Sequence, residues 1–444
     1  MQENLKRDIG TFGLACTVVN ITIGTGIFVL PALAAEKLGA AAIISFFICG
    51  LLIFLIALCF AEIGSKVSVS GGAYTYIEKA FGPFTGFLAN NIFWFGSCML
   101  GDAGIANALS KTLSHFFPIL DTTVGRPTFL MTLFILLGYI NIRGAKYGVW
   151  FSILTTIIKL IPLLLIVVFG VSQVTTANLE WKQSLTLTDI GSATLILFYA
   201  FIGIETSVNN GGEFKNPAKT VPLGIFSGLI FVLLLYVSIQ MVSQGILGDQ
   251  LTAEKIKDAP LAAVANKLFG TAGITLMIAG TAFAMLGTLS GEILGNPRIL
   301  FAGARDGLTP KVLAKVHPKF ATPYVAIIVY ASLCFIFAVI GEIKQLLILS
   351  SATTLLIYLG VVLATIRSRK KKTLTTDKSF KIPGGITIPI LAVVIIVWIL
   401  SNLSKAEMIG ITVFITVVAL IYFITQFFKD KNTPNSVINL KEKS

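Results

Sequence analysis

Apolar runs of about twenty residues recur along the whole chain, and no other feature restricts its fold as much. A helix needs about 20 mostly apolar residues to cross the hydrocarbon core of a bilayer. Runs of that kind fall at residues 11–34, 40–63, 84–113, 127–142, 149–171, 190–210, 221–245, 271–302, 323–341, 345–366, 386–404 and 408–428. Lipid offers no partner to a backbone N–H or C=O, so a spanning segment satisfies them internally as a helix or in a closed barrel. The run length selects the helix. The expectation is an all-α polytopic membrane protein with 12 transmembrane helices and both termini on one side.

Charge narrows the class further. Charged residues make up 12% of the chain and hydrophobic residues 55%, whereas a soluble domain averages about 25% charged. A soluble monomer this apolar would expose oversized patches, and a disordered chain is excluded by the same content. Lys+Arg number 34 against 21 Asp+Glu, a net charge of +13. No basic stripe interleaved with aromatics points to nucleic acid. Cytoplasmic loops of membrane proteins collect Lys and Arg instead. With the N-terminus inside, 24 basic residues fall on the inner side and 9 on the outer. Both termini are therefore expected in the cytoplasm and the chain in the cell membrane. The densest basic stretch, from Arg367 to Lys381, is read as a topology signal in a solvated loop rather than a lipid-binding site. Lys6, Arg7 and Ala32-Leu33-Ala34 imitate a signal peptide. Gly24, Gly26 and Pro31 interrupt that stretch and it is too long for a signal core, so it is read as the first span.

Several chemistries are not expected. The cysteines, Cys16, Cys49, Cys59, Cys98 and Cys334, lie in apolar runs without a CxxC, and His115 and His317 sit at segment edges. A disulfide framework, a metal site and a cofactor are accordingly not expected. The missing HExxH and GxSxG patterns argue against a membrane-embedded enzyme, and the missing Walker A motif against ATP-driven transport by this chain alone.

Two spans are interrupted. The first reads Asn20-Ile21-Thr22-Ile23-Gly24-Thr25-Gly26-Ile27-Phe28, and the sixth reads Phe198-Tyr199-Ala200-Phe201-Ile202-Gly203-Ile204-Glu205-Thr206. Glycine weakens a helix interior by about 1 kcal/mol relative to Ala. Irregular backbone at membrane depth persists only where it is buried in protein or lines a cavity. A half-helix that begins there offers N–H groups to an anion, and one that ends offers C=O groups to a cation. The two interruptions open two matching sets of five spans, and corresponding breaks in two halves point to a transporter site. Small-residue helix packing is the competing explanation. A channel would need a continuous pore, which an occluding pair of breaks opposes.

Further motifs stand in order along the chain: Ser70-Gly71-Gly72-Ala73-Tyr74-Thr75-Tyr76, then Phe81-Gly82-Pro83, Glu213-Phe214-Lys215-Asn216-Pro217, and Ala304-Arg305-Asp306-Gly307-Leu308-Thr309-Pro310. Together with the two breaks they resemble the amino acid–polyamine–organocation superfamily of transporters, from about Asp8 to Phe428. The resemblance implies two inverted five-helix repeats plus two peripheral helices, with alternating access around a midplane site. The chain then divides into a tail (1–10), a first repeat (11–171), a second repeat (172–366), a basic loop (367–385), two further spans (386–428) and a second tail (429–444). The implied partners are a small-molecule substrate, an amino acid or related amine, the lipid bilayer, and protons as a candidate co-substrate. The oligomeric state is left open.

By the same resemblance, the N–H groups of Thr25, Gly26 and Ile27 would receive the substrate α-carboxylate, and the carbonyls of Thr22, Tyr199 and Ile202 its ammonium. Intramembrane ionisable groups are functional candidates by default, since a charge at the bilayer centre costs roughly 2.5–3.5 kcal/mol on insertion scales. Four stand out: Asp102, Lys159, Glu205 and Glu292. Asn91, Phe95, Cys98 and Asp102 step by helical spacing and are expected to share one face. Asp102 matches a substrate-facing position of related exchangers. Glu292 departs from the aromatic that they often carry, which suggests an acidic pocket wall and a cationic amino acid or polyamine as substrate, with protonated carboxyls and a neutral amino acid as the competing view. For both, an internal polar contact is the alternative. Glu205 is read either as a gating or coupling group or as an anchor for the broken backbone, and Tyr199, Phe201 and Phe28 as residues able to close over substrate.

Lys159 lies ten residues into its run, or about 15 Å, near the middle of a core of about 30 Å. It must find internal oxygens or lose its proton. In sodium-independent members of the resembling family, a span-five lysine replaces the sodium ion of related folds. Lys159 matches it, with acceptors expected near Ile23 or Gly24 and at the Thr288 hydroxyl. Gly24 and Thr288 thus join Lys159 and Glu205 as coupling or gating candidates, and sodium-independent transport is expected. A fixed structural cation is the other reading.

Overall fold

A computed structural model of the chain describes residues 10–66, 72–143, 146–181, 184–207, 217–257, 259–305, 307, 309–371 and 380–432. Among the described residues every regular element is helical, with no strand. Seven helical stretches are long and apolar enough to cross a membrane, and five shorter apolar helices of 10–17 residues accompany them. Ser70, Gly71, the segment Glu213-Phe214-Lys215-Asn216, Asp306, Leu308, residues 372–379 of the basic loop, residues 1–9 of the first tail and residues 433–444 of the second lie outside the described residues.

The first apolar run is not one helix. α1 (Thr11–Thr22) stops, Ile23, Gly24 and Thr25 intervene, and α2 (Gly26–Leu38) begins. α3 (Ala42–Lys66) and a short α4 (Gly72–Phe81) follow. The next span is α5 (Pro83–Asn91), a π-helical stretch Ile92–Met99, and α6 (Leu100–Leu113). α7 (Gly125–Arg143) and α8 (Lys146–Gly170) complete the first half. The second half opens on α9 (Leu187–Leu197), which tightens into a 3-10 turn, Phe198–Phe201. Ile202 is extended, and Gly203 takes φ 130°, a conformation that favours glycine. α10 (Ile204–Ser207) resumes beyond it. The remaining helices are α11 (Pro217–Leu247), α12 (Pro260–Gly295), α13 (Pro297–Arg305), α14 (Tyr324–Ile340), α15 (Ile343–Lys371), α16 (Thr387–Leu400) and α17 (Lys405–Asn432).

Most boundaries fall within a few residues of the apolar runs, but α12 does not. It begins at Pro260 and bends at Gly270, where φ is 64°, whereas the run began at 271. Polar residues such as Lys267, which donates to the Ile246 carbonyl at 3.2 Å, hide its first turns from a hydropathy reading.

Small residues let the broken helices pack closely. α1 lies against α11, where Gly224 and Gly228 are four apart; a Cβ at Gly224 would meet Leu14 at 2.8 Å and one at Gly228 would meet Val18 at 2.8 Å. Such spacing lets helix backbones approach in a membrane, where packing replaces the hydrophobic drive. α2 packs on α9, and α1 on α10, so the four half-helices cross at their breaks. α3 touches both α9 and α11; α12 touches α8 and α6; α15 touches α6, the π stretch and α3; α14 touches α7. α16 leans on α3 and α15, and α17 on α5 at the margin. On the α3–α15 side Glu62, 1% exposed, accepts from Arg369 Nε at 2.8 Å and from the Ile382 N–H at 3.0 Å, a charged pair that joins three segments.

Candidate functional site

The two breaks share one cavity. Thr22, Gly24, Thr25 and Gly26 line it from the first break, and Tyr199, Ile202, Gly203 and Glu205 from the second. Asp102, Thr288 and Glu292 complete the set of sequence candidates on its wall. No Lys, Arg or His lines it among the described residues.

Backbone geometry sets the polarity of the first break. The first N–H groups of any helix have no acceptor inside it. α2 starts at Gly26, on the cavity, so its positive end faces the cavity. The carbonyl end of α1 is less open than expected. Thr22 O accepts the Gly24 N–H at 2.8 Å and shares the single Tyr236 hydroxyl hydrogen, 2.8 Å away, with a second carbonyl. The Thr22 carbonyl is therefore already engaged inside the protein. The Thr22 hydroxyl is buried and has no partner among the described residues. Tyr236, on α11, also reaches the Ala200 carbonyl at 3.0 Å, so one phenol ties the two breaks together. Tyr236 escaped the sequence reading because one tyrosine in a long apolar run carries no local signal.

Glu205 stays within its own break. Its Oε2 accepts the Gly203 N–H at 3.1 Å and the hydroxyl of Tyr358 on α15. This is the anchoring geometry, with an added tie to α15. Tyr199 lines the cavity, whereas Phe201 stacks edge-on against Tyr236 at 5.2 Å and is 1% exposed. Phe28 is buried beside Val29 and Thr112 at a separate small void. Of the three aromatics expected to close over substrate, only Tyr199 stands at the cavity. Ile27 is fully buried and does not line it either.

The shared face of the third span is also corrected. Cys98 and Asp102 line the cavity together with Ser97 and Gly101, but Asn91 and Phe95 do not. Asn91 donates to the Phe87 carbonyl at 2.9 Å and accepts from Trp94 at 3.1 Å, while Phe95 stacks on Phe414 at 4.9 Å. The π stretch Ile92–Met99 lies between, and its wider turn breaks the register that an ideal α-helix would keep. α15 supports the bulge: Ser350 donates to the Ser97 carbonyl at 2.6 Å, and Ser97 and Thr354 share a hydrogen bond.

A polar chain holds the acidic wall. Asn296 Nδ2 donates to Glu292 Oε2 at 2.7 Å and to the Tyr330 hydroxyl at 2.9 Å, and that hydroxyl donates to Asp102 Oδ2 at 2.7 Å. Asn296 caps α12 one turn beyond Glu292, and Tyr330 comes from α14. Neither was singled out from sequence; the i, i+4 spacing of Glu292 and Asn296 was the available signal.

Lys159 sits outside the cavity lining, 4% exposed, and donates to the Asn20 carbonyl at 2.6 Å. The expected acceptors near Ile23 or Gly24 and at Thr288 are not the ones used. The Thr288 hydroxyl donates instead to Ala284 O at 3.0 Å. The acceptor lies earlier because the carbonyls of an ending α-helix point along the last turn. The outcome is still a bridge from α8 to α1.

Comparison with known proteins agrees with this architecture. Residues 9–425 match the family described as amino acid permease. A branched-chain amino acid permease of Bacillus subtilis is 28% identical over 441 residues, 95% of this chain and 94% of that one. A serine/threonine exchanger of the same organism is 31% identical over 404 residues, 88% and 90% of the two chains. A methylthioribose transporter, also from Bacillus subtilis, is 28% identical over 450 residues, 95% and 94%.

Proposed function

The chain belongs to the amino acid permease family, and from that premise we propose a secondary active transporter that carries amino acids across the cell membrane by alternating access around the cavity between the two breaks. The observation that carries this reading is the convergence of two broken helices on one cavity, with the start of α2 on its wall. A positive helix end suits an α-carboxylate. The Thr22 hydroxyl and the carbonyls of Tyr199 and Ile202 suit the ammonium.

The helix packing supports two inverted five-helix repeats. Moving five spans along the chain turns several helix contacts into other observed ones. The α1–α11 contact becomes α9–α3, α8–α12 becomes the π stretch and α6 against α15, and α2–α9 becomes α10–α1. Each half also leads into its third span through a glycine of positive φ, Gly82 at 100° and Gly270 at 64°. We read α16 and α17 as peripheral helices, the spans as twelve, and both termini as cytoplasmic. A cysteine placed in the C-terminal tail is expected to stay unlabelled by an impermeant maleimide added to intact cells. Labelling from outside would overturn the topology.

The transport reading is tested with the purified protein in liposomes and a panel of labelled amino acids, with and without internal substrate and with sodium or proton gradients. Uptake of at least one amino acid without sodium is the expected result. No uptake of any of them, or a strict sodium requirement, would overturn it. The names of the relatives do not choose the substrate, since they span branched-chain and hydroxyl amino acids and a thio-sugar. Two of the three favour a neutral amino acid. The charge of the cavity favours a different answer.

A further inference from the structure

We infer that the wall formed by Asp102 and Glu292 is a receptor for a positively charged side chain, so that the preferred substrates are cationic amino acids. This rests on the transport reading above and adds the substrate class.

The polar chain has few hydrogens to give. Asn296 has two amide hydrogens and Tyr330 one phenolic hydrogen. The short contacts assign them in sequence: Asn296 to Glu292 Oε2 at 2.7 Å, Asn296 to the Tyr330 oxygen at 2.9 Å, and Tyr330 to Asp102 Oδ2 at 2.7 Å. The remaining approach, Asn296 to Asp102 Oδ2 at 3.4 Å, falls on an oxygen already served. Every donor that the protein supplies thus ends on one oxygen of each carboxylate. Asp102 Oδ1 and Glu292 Oε1 receive none among the described residues, and both residues line the cavity.

Glu205 lines the same cavity, but its Oε2 is held by the Gly203 N–H and by Tyr358, which ties that carboxylate to the broken backbone, whereas Asp102 and Glu292 are held by the side chains of Asn296 and Tyr330. With no basic residue on the lining among the described residues, the compensating cation is either a proton or a charge that comes with the substrate. Two carboxylates inside a bilayer are unfavourable without one. A guanidinium or a primary ammonium brings several N–H donors on one charged group, enough to serve both open oxygens at once. The α-carboxylate end of the same molecule would be left to the start of α2.

The test is competition against a labelled substrate in liposomes containing the purified full-length protein. Arginine, lysine and ornithine are compared with leucine and serine. In the wild type the cationic set is expected to compete at concentrations at least about tenfold lower, since hydrogen bonds to charged groups contribute about 1.5–3 kcal/mol and 1.4 kcal/mol is tenfold. Asp102→Asn and Glu292→Gln should each collapse that ratio. The ratio is read within one preparation, so partial loss of folded protein cancels. If leucine or serine competes better in the wild type, or if both variants keep the ratio, the inference is overturned while amino acid transport stands. If no amino acid is taken up or competes, the transport reading itself fails.

Discussion

Gly26→Leu is expected to abolish uptake while leaving the protein in the membrane, and Gly26→Ala to reduce it severely. A Cβ at Gly26 would lie 2.8 Å from both Cα and Cβ of Ala200 and 3.2 Å from its N. These are atoms of the second break, largely backbone, and no flexible side chain is there to swing aside. Overpacking a filled site costs about 1–3 kcal/mol even for small additions. Here the strain would fall on the contact that holds the breaks together. Pushing Ala200 away would also pull its carbonyl off the Tyr236 hydroxyl, which bridges Ala200 O and Thr22 O. The N-terminus of α2 would no longer face the cavity squarely. Gly24 offers the steric contrast: a Cβ there would find its nearest neighbours, Ile21 O and Thr288, at 3.9 Å. Gly24→Ala should therefore lose much less than Gly26→Ala. Initial uptake rates, normalised to the amount of membrane-inserted protein, measure all three. Normal substrate affinity in Gly26→Leu would remove Gly26 from the site.

The breaks were legible because glycine in an apolar run is a backbone statement, and because two such statements stood at corresponding places. Intramembrane charges were legible for a similar reason: Asp102, Glu205 and Glu292 all reach the cavity wall, since lipid leaves an ionisable group few other places to go. What failed was anything that required register or distance. The π stretch Ile92–Met99 has no signature in Ile-Phe-Trp-Phe-Gly-Ser-Cys-Met, yet it decides that Cys98 faces the cavity and Phe95 faces Phe414. Tyr236, Tyr330 and Tyr358 lie in long apolar helices where a tyrosine reads as packing, and only the assembled bundle brings their hydroxyls to Thr22, Asp102 and Glu205. Aromatics misled in the other direction. Phe28 and Phe201 sit in sequence beside the breaks, but short-range position does not fix which way a side chain leaves a non-helical backbone.

Lys159→Ala is expected to lower uptake by roughly ten- to hundredfold, the size of one hydrogen bond to a charged group, and to remove any response to a pH gradient. Lys159 Nζ donates to the Asn20 carbonyl at 2.6 Å, which links α8 to the last turn of α1, two residues before Thr22. The group is 4% exposed, and among the described residues no carboxylate pairs with it. An ammonium at that depth is unfavourable without an acceptor. The bond to Asn20 O therefore ties the charge of the lysine to the position of α1, the helix whose broken end forms the site. Under the proposed coupling role, moving α1 and moving a proton become two views of one equilibrium, with the lysine holding α1 in place of a sodium ion. Two substitutions separate the bridge from the proton. Alanine removes both. Arginine keeps a permanent cation able to donate to Asn20 O but cannot give up its proton. Lys159→Arg should thus bind substrate while its uptake no longer follows the proton gradient. The measurement is initial uptake in liposomes across a series of inside and outside pH values, with choline replacing sodium. Unchanged pH-dependent uptake in Lys159→Ala would sink the coupling role. A Lys159→Arg protein that still follows the gradient would leave Lys159 as a fixed structural cation.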